Sequence, residues 1–580
     1  MKTLFTTVFL FAMIVFMLTP GQSSAQTGTL TIYANNPLTL DQVINGDVSG
    51  GVNNHSVYQL VSTDTTYLLD ATITSQSSIS IIGVADGTTG KLPCIEADVL
   101  SGGQIPGIFF TFTGAHTNIA LKNLYLLGIT PINTNNTAFG QGVQVSADYI
   151  RLTVDNCVFD FMSQFEIAFS SNWNKFFITN SKFINGFDVA SAYYVPELLR
   201  SLNGAGNWFT DTIYVRYNTM LAVAMGPVIT TGITNYFDFS HNDVLLTTKA
   251  PFWSEPLVNA KINNNIFYNV YALGESRTEY LGGWDEIDPP RIPALFSFFR
   301  LDSLRAATFL GHPINGTADS LAAEAARTVE VKNNAYFWSS GLTSFWTAWN
   351  DTATVDSIYT PVFMNDQTAA MFNTPSVWPG FVQSGNQSAD PQFGPTIDKV
   401  LNPGSDTTYG VGLLNYFAAV RGGTGSTQYY AYQKTQVGTN LDWTPPWPLP
   451  CSTDLAYSNT AVKNSSTDGL PLGDPYWFNG WTGVDNSTPQ VADKFTLSDA
   501  YPNPFNPSTN VTITLVKPGN VSLKIYNVTG QLVKTVLDNR NISSGSYSYN
   551  IDMSKFSSGI YFYTLQQDNN FIAKKMILLK

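Results

Sequence analysis

The chain of 580 residues reads as all-β: a right-handed parallel β-helix passenger followed by a small Ig-like antiparallel β-sandwich. Three observations predict this. A short apolar-Asn-apolar template recurs through the middle of the chain at steps near 23 residues. Apolar residues alternate with polar ones just before each copy, as in a half-buried strand. Beyond residue 490 the chain changes to short alternating strands with Pro-Gly and Thr-Gly turns, the pattern of a sandwich.

The N-terminus comes first. Lys2 precedes a mostly apolar stretch, Leu4 to Leu18, which Pro20 and Gly21 break; Ser23, Ser24 and Ala25 then supply small residues. This is a secretory signal layout, with residues 1–25 as the expected signal peptide. The stretch is short of the roughly 20 residues that a membrane span needs, and no later segment is apolar enough, so no transmembrane segment is expected. Export permits disulfides, but Cys94, Cys157 and Cys451 are three and far apart, so buried free thiols are the simpler reading.

The passenger is expected over 26–488. Its anchors are Leu121, Val154, Ile178, Val215, Phe239, Ile262 and Val331, at steps of 33, 24, 37, 24, 23 and 69. Two residues after each anchor stand Asn123, Asn156, Asn180, Tyr217, His241, Asn264 and Asn333. Asn tolerates a left-handed corner between two strands and bonds its own backbone. Stacked coil on coil, the amides of Asn123, Asn156, Asn180, Asn264 and Asn333 are expected to form a ladder. His241 reads as a satisfied turn histidine.

The long steps are insertions. Residues 193–207 contain Pro196-Glu-Leu-Leu-Arg-Ser-Leu202, read as a short helix. The step of 69 holds Asp319 to Arg327, a run of helix formers behind an N-cap candidate, so it reads as a loop-and-helix excursion within 271–330 rather than as missed coils. Residues 78–84 and 107–112 are expected to form the first coils and cap. The repeat fades after Trp338, and residues 340–488 have no assignable register.

Composition limits the function. Lys plus Arg is 29 and Asp plus Glu 42, for a net charge of −13, with no basic run, which excludes nucleic acid as the main partner. Four His and three Cys make a metal cluster improbable, so no metal is assigned. A lyase needs carboxylates that hold Ca²⁺ and a Lys or Arg base; a hydrolase needs two carboxyl groups roughly 5–9.5 Å apart. Neither set is visible. Asp155, Asp211, Asp238 and Asp243 scatter relative to the anchors. The densest charge lies in the insertion, where Tyr280, Trp284, Asp285, Glu286, Asp288 and Arg291 combine aromatic rings with carboxylates. Rings pack on sugar C–H faces and acids accept hydroxyl hydrogens, so this segment is the candidate for binding glycan or Ca²⁺; no other cofactor is expected. The catalytic residues are unknown. The preferred reading is a non-enzymatic glycan-binding, adhesive or structural protein. The alternative is a polysaccharide lyase or glycoside hydrolase.

Two stretches carry resemblances. Asp468-Gly-Leu-Pro-Leu-Gly-Asp-Pro-Tyr-Trp-Phe478 resembles the closing stretch of secreted bacterial pectate-lyase-like β-helix proteins of undefined activity. Such a likeness implies the fold and does not transfer an activity. After a linker at 489–495, Tyr501, Pro502, Asn503 and Pro504 open residues 496–580. There Gly530 follows Asn527-Val-Thr, Gly559 and Tyr561 stand in Ser-Gly-Ile-Tyr, and Lys574, Lys575 and Lys580 mark a basic ending. Together these resemble the type A C-terminal sorting domain of the bacterial type IX secretion system. The resemblance implies engagement with that machinery and a secreted or outer-membrane-attached location in a Gram-negative bacterium. In the family the domain is usually removed after translocation.

Overall fold

The computed structural model describes residues 26, 28–98, 106–128, 140–186, 197–202, 208–223, 226–230, 232–249, 251–253, 257–276, 293–310, 313–352, 357–406, 411–421, 455–478, 495–500, 502–515, 519–542, 545–567 and 570–579. Three parallel sheets wind through the first part of the chain, with successive strands passing from one sheet to the next. Sheet A has eleven strands: Thr29–Tyr33, Val57–Val61, Ile79–Val84, Asn118–Lys122, Arg151–Asp155, Asn174–Thr179, Thr210–Arg216, Thr234–Ser240, Leu257–Asn263, Thr328–Lys332 and Gly380–Ser384. Sheet B has ten short strands and sheet C seven. Neighbouring strands within these three sheets are parallel, which is the architecture of a parallel β-helix.

Alternation sets the core. Leu121, Val154, Ile178, Val215, Phe239, Ile262 and Val331 stack in register on the inner face of sheet A, all fully buried. The apolar anchors of the template are therefore one inward row of the coil. The helix Leu40–Gly46 packs Leu40 and Ile44 on the first strands of sheets B and C. The helix Asp366–Asn373 brings Met371 to the same core near the last rung, its N-terminus held by the Asn365 side chain, which accepts from the Thr368 N–H.

The step of 69 is a single rung. Leu257–Asn263 pairs directly with Thr328–Lys332, and the intervening chain leaves the stack to form helices Ser303–Leu310 and Thr317–Ala325. Two expectations differ. The coil begins earlier than residue 78, with Thr29–Tyr33 and Val57–Val61 as its first rungs; neither carries an Asn corner, so the template misses them. Glu197–Ser201 is a strand rather than a helix, because pairing with Phe165–Phe169 in sheet C outweighs the local propensity of Glu-Leu-Leu-Arg. Cys94 and Cys157 are buried free thiols.

The corner from sheet A to sheet B spans two residues, and here the amide ladder is displaced. Asn123, Asn156, Asn180, Asn264 and Asn333 hold the left-handed position, with φ from 50° to 59°, as do Tyr217 and His241. Between these amides Asn156 donates directly to Asn123, at 2.9 Å, while Asn180 turns to Asp155. The continuous ladder runs one residue later, through Asn218, Asn242, Asn265, Asn334 and Asn386. Each Nδ2 donates to the next Oδ1, at 3.0, 3.1, 2.9 and 2.9 Å. Each Oδ1 also accepts the backbone N–H of the previous ladder residue. The side chain that follows the corner points into the coil, so the row from Asn218 to Asn334 is buried and must satisfy itself. The left-handed residues stand at the rim.

Outside sheet B lies a second apolar layer. Helices Ser340–Thr352, Pro395–Leu401 and Leu413–Arg421 cover it with Leu342, Trp346, Ile397, Leu413 and Phe417. The C-terminal part forms a three-stranded and a four-stranded antiparallel sheet around Val511, Ile513, Leu523, Ile525, Tyr563, Leu565 and Met576.

Replacing Asn242 by Leu takes the acceptor from the Asn218 backbone N–H and a donor from Val215 O inside the coil. The expected loss is about 2–3 kcal/mol of stability, against less than about 0.5 for Lys261→Ala on the outer face. Denaturant midpoints of the two variants check this, and equal midpoints would remove the ladder from the list of stabilising features.

Candidate functional site

Three regions carry functional chemistry. The first is the outer face of sheet A, where register places side chains in columns along the axis. One column runs Lys122, Asp155, Thr179, Arg216, Ser240, Asn263, Lys332. Its neighbour runs Thr153, Phe177, Tyr214, Asp238, Lys261, Glu330. Asp238 is held by Arg216 through two parallel bonds of 3.0 and 2.8 Å, and also accepts from Ser240 and Tyr236. Burial works against the Arg216 charge, but Asp238 raises the guanidinium pKa above its ordinary value, so it cannot serve as a base. Asp155 accepts from Thr179 and Asn180. Glu330 is partly buried, yet bonds from Lys332 and Asn263 hold it below its ordinary range. Rungs lie about 4.8 Å apart, so Asp155 and Asp238 stand roughly 14 Å apart along the axis and Asp238 and Glu330 roughly 10 Å.

The second region is internal. The closing segment 468–478 docks on the outside of sheet B. Lys182 Nζ meets Asp474 Oδ2 at 2.7 Å, with both side chains buried, and Thr219 donates to the same oxygen. The Trp477 indole N–H donates to Thr219. Gly473 has φ +74°, and a Cβ there would stand 2.0 Å from Asp243 Oδ1, so no other residue fits. His241 is buried at its corner, with Asp468 at 2.8 Å from Nε2 and the carbonyls of Pro471 and Gly473 at 3.2 Å from Nδ1. Its contacts are those of a structural clamp.

Near the turn from sheet B to sheet C lie further buried acids. Burial raises Asp160 from 3.8 to about 7 despite bonds from Tyr125 and Asn185, and Glu197 from 4.5 to about 8 despite Arg200. Burial and the Asp160 charge push Glu166 well up, and among the described residues both its carboxyl oxygens lack a hydrogen-bond partner. Burial and Asp474 do the same to Asp243.

The aromatic-acidic segment anticipated as a glycan or Ca²⁺ site, with Tyr280, Trp284, Asp285, Glu286, Asp288 and Arg291, lies outside the described residues. Among the described residues no three His, Cys, Asp or Glu side chains converge as a metal would require. Nor is any helix there long and apolar enough to cross a membrane.

The third region is the C-terminal sandwich. Asn570–Leu578 is the outer strand of the four-stranded sheet. The motif around Asn503 closes part of its free edge. Asn503 Oδ1 accepts the Ile577 N–H at 2.8 Å, the Phe505 N–H donates to Ile577 O at 3.0 Å, and the Leu579 N–H donates back to Phe505 O at 2.9 Å. Pro502 O accepts from Thr509, and Pro504 lies between Asn503 and Phe505. Gly530 takes φ +80° in a turn that Asn527 organises by accepting from the Thr529 and Gln531 N–H groups. Gly559 begins the strand Gly559–Gln567, whose Tyr561 donates to Ser557 O. Lys574 reaches exposed Asp499, and Lys575 pairs across from Phe562. Tyr501 and Lys580 lie outside the described residues. Sequence reading named these residues without seeing that the opening motif and the basic ending lie side by side.

Residues 499–579 match the family described as the secretion system C-terminal sorting domain. The chain thus carries a type IX sorting tail, and the protein is secreted or displayed at the cell surface. No curated protein matches the chain.

Two outcomes are expected. Below about pH 4 the buried carboxyls are protonated in both folded and unfolded chains. Above it the unfolded chain loses those protons first, while the fold retains them until about pH 7 for Asp160 and 8 for Glu197. Stability should therefore fall across pH 4–8. Asp160→Asn should flatten the fall below pH 7, read as denaturant midpoint against pH; a midpoint that rises across this window would mean the carboxyls are ionised in the fold. For the sorting tail, Asn503→Ala should speed amide hydrogen exchange at Ile577 by about fivefold, since a bond worth about 1 kcal/mol is lost. Unchanged exchange there would mean that the edge is held by other contacts.

Proposed function

We propose that the protein is a type IX-exported surface or extracellular β-helix whose passenger binds glycan and does not turn it over. The observation that carries this reading is the state of the carboxylates on the described outer face of sheet A. Each is engaged by a neighbouring cation, amide or hydroxyl. A face rich in Tyr, Thr, Asn and paired charges suits hydroxyl recognition more than proton transfer. The Trp284 and Asp285 segment is a second candidate for contact with glycan or Ca²⁺.

One observation favours the enzyme reading. Asp160, Glu166 and Glu197 have the raised pKa values that a general acid needs. All three are buried, with Glu166 and Glu197 at 0% exposure, which leaves no route for a substrate to the carboxyl oxygens. A polysaccharide lyase or hydrolase is for that reason the weaker reading.

The discriminating experiment is a glycan panel read both for binding and for new reducing or unsaturated ends. Binding without new ends is the expected result; polyuronate or neutral polymer turned over by the pure protein would reverse the assignment. Mass spectrometry of the surface fraction tests the proposed maturation. It should show a chain that starts at Gln26 and lacks the sorting tail from about residue 490, whereas intact Lys580 in the mature species would refute tail removal.

A further inference from the structure

The corner that leads from sheet C into sheet A is built unlike the Asn corner. Where Asn would adopt a left-handed backbone at little cost, this corner holds His116, Tyr149 and Trp173, with φ of 59°, 62° and 60°. Bulky residues carry a steric penalty in that region, so their presence calls for a compensating interaction. Part of it is stacking. His116 lies on Tyr149 at 4.6 Å and 9°, Tyr149 on Trp173 at 6.5 Å and 14°, and Trp173 on Phe209 at 5.0 Å and 16°. Stacking alone does not explain the exposure. Tyr149 is 36% exposed and His116 is exposed too, on the coil side of a cleft whose other side is Phe495, Gln567 and Asn570 of the C-terminal part, so that removal of the tail opens this strip fully. Among the described residues the Trp173 indole N–H and the His116 ring donate to no protein acceptor, although both are polar edges of a half-covered stack.

We infer that this four-rung aromatic ladder, with Asn118, Arg151 and Lys175 beside it, is a binding groove for an extended, uncharged polysaccharide that lies along the coil axis. The inference rests on the binding role proposed above and names its site and ligand class. Periodicity is the first argument. The rungs repeat at about 4.8 Å, close to the advance of one hexose along an extended chain, so successive sugars meet successive rungs in the same way. Geometry is the second. The rings cover one another's faces, so they offer their rims: C–H edges for the sugar's apolar side, and the ring nitrogens of Trp173 and His116 for its hydroxyls. Asn118, Arg151 and Lys175 occupy consecutive rungs of one outward column of sheet A and flank that row with further donors. Charge is the third. Arg151 lies over the Phe177 ring at 4.1 Å, and Lys175 stands 3.9 Å from Asp211. Asp148, next in sequence to Tyr149, adds a second carboxylate to the same corner, so the strip is balanced, and a chain of net charge −13 does not attract polyanions.

The test uses the exported protein in the form the cell releases, titrated by calorimetry with soluble neutral glycans and with a polyuronate. Neutral glycan should bind in preference. Trp173→Ala should weaken it at least tenfold. Trp173→Phe, which replaces the indole by a phenyl ring and removes the N–H, should weaken it about threefold, and Lys399→Ala, on the helix Pro395–Leu401 outside sheet B, should leave it unchanged. If Trp173→Ala does not fold, Trp173→Phe and Tyr149→Phe carry the test. Preference for the polyuronate overturns the ligand class. Binding that survives the ladder variants but is lost in Trp284→Ala overturns the ladder and leaves the binding role standing. Failure of the wild type to bind any glycan overturns both.

Discussion

The coil depends on one row of inward amides. Parallel strands bring backbone partners to each other, but a corner of two residues leaves polar groups inside an apolar stack. The row Asn218, Asn242, Asn265, Asn334 and Asn386 resolves this, because each side chain both donates and accepts along the axis and closes the corner's N–H groups. A Ser181 hydroxyl extends the row toward the N-terminus by accepting from the Cys157 N–H, and the Ser181 N–H donates to Asn218. Where the row thins to Cys157 and Leu124, inward apolar packing takes over. The stack thus changes from an apolar corner to an amide corner without a change of pitch, since both side chains point into the same space.

That constraint has a consequence for where chemistry can sit. The inner face of sheet A is committed to packing and the outer face of sheet B to the helices and the segment 468–478. Polar groups caught beneath those layers are shut from solvent, and for Asp243 burial and the neighbouring Asp474 charge raise the carboxyl well above its ordinary range. Lys182 is the compensating cation, and it takes Asp474 rather than Asp243. Recognition is left to the outer face of sheet A, to its corner with sheet C and to excursions from the stack, which can vary without disturbing neighbour contacts.

The sequence made much of this legible. A period near 23 and the inward anchors identify the coil, and the step of 69 is readable as one rung because its content is helical. The six long strands of the sandwich follow from alternation and turn residues. The ladder was misplaced by one residue for a physical reason. In Asn264-Asn265 and Asn333-Asn334 both positions are Asn, one for its left-handed backbone and one for its amide, and sequence cannot say which amide points inward. The aromatic corner was invisible because His116, Tyr149, Trp173 and Phe209 share no residue type, and only register shows that they stack. The early rungs were missed because an apolar corner carries no marker. The segment with Trp284 and Asp285 was conspicuous for its charge, a property of solvated loops as well as of sites.

The two halves of the chain solve the same edge problem in different ways, which bears on how one can be exported by the other. A strand edge exposes unpaired N–H and C=O groups that invite foreign strands. The coil removes internal edges by giving each strand a neighbour above and below. The sandwich instead ends on Asn570–Leu578 and closes only its C-terminal half, where Asn503 and Phe505 bond to Ile577 and Leu579. Residues 570–574 receive no such cover from that motif. The family match assigns this module to recognition by a secretion machinery. A passenger without free internal edges suits such a carrier, because it offers little for strand exchange while the tail is engaged.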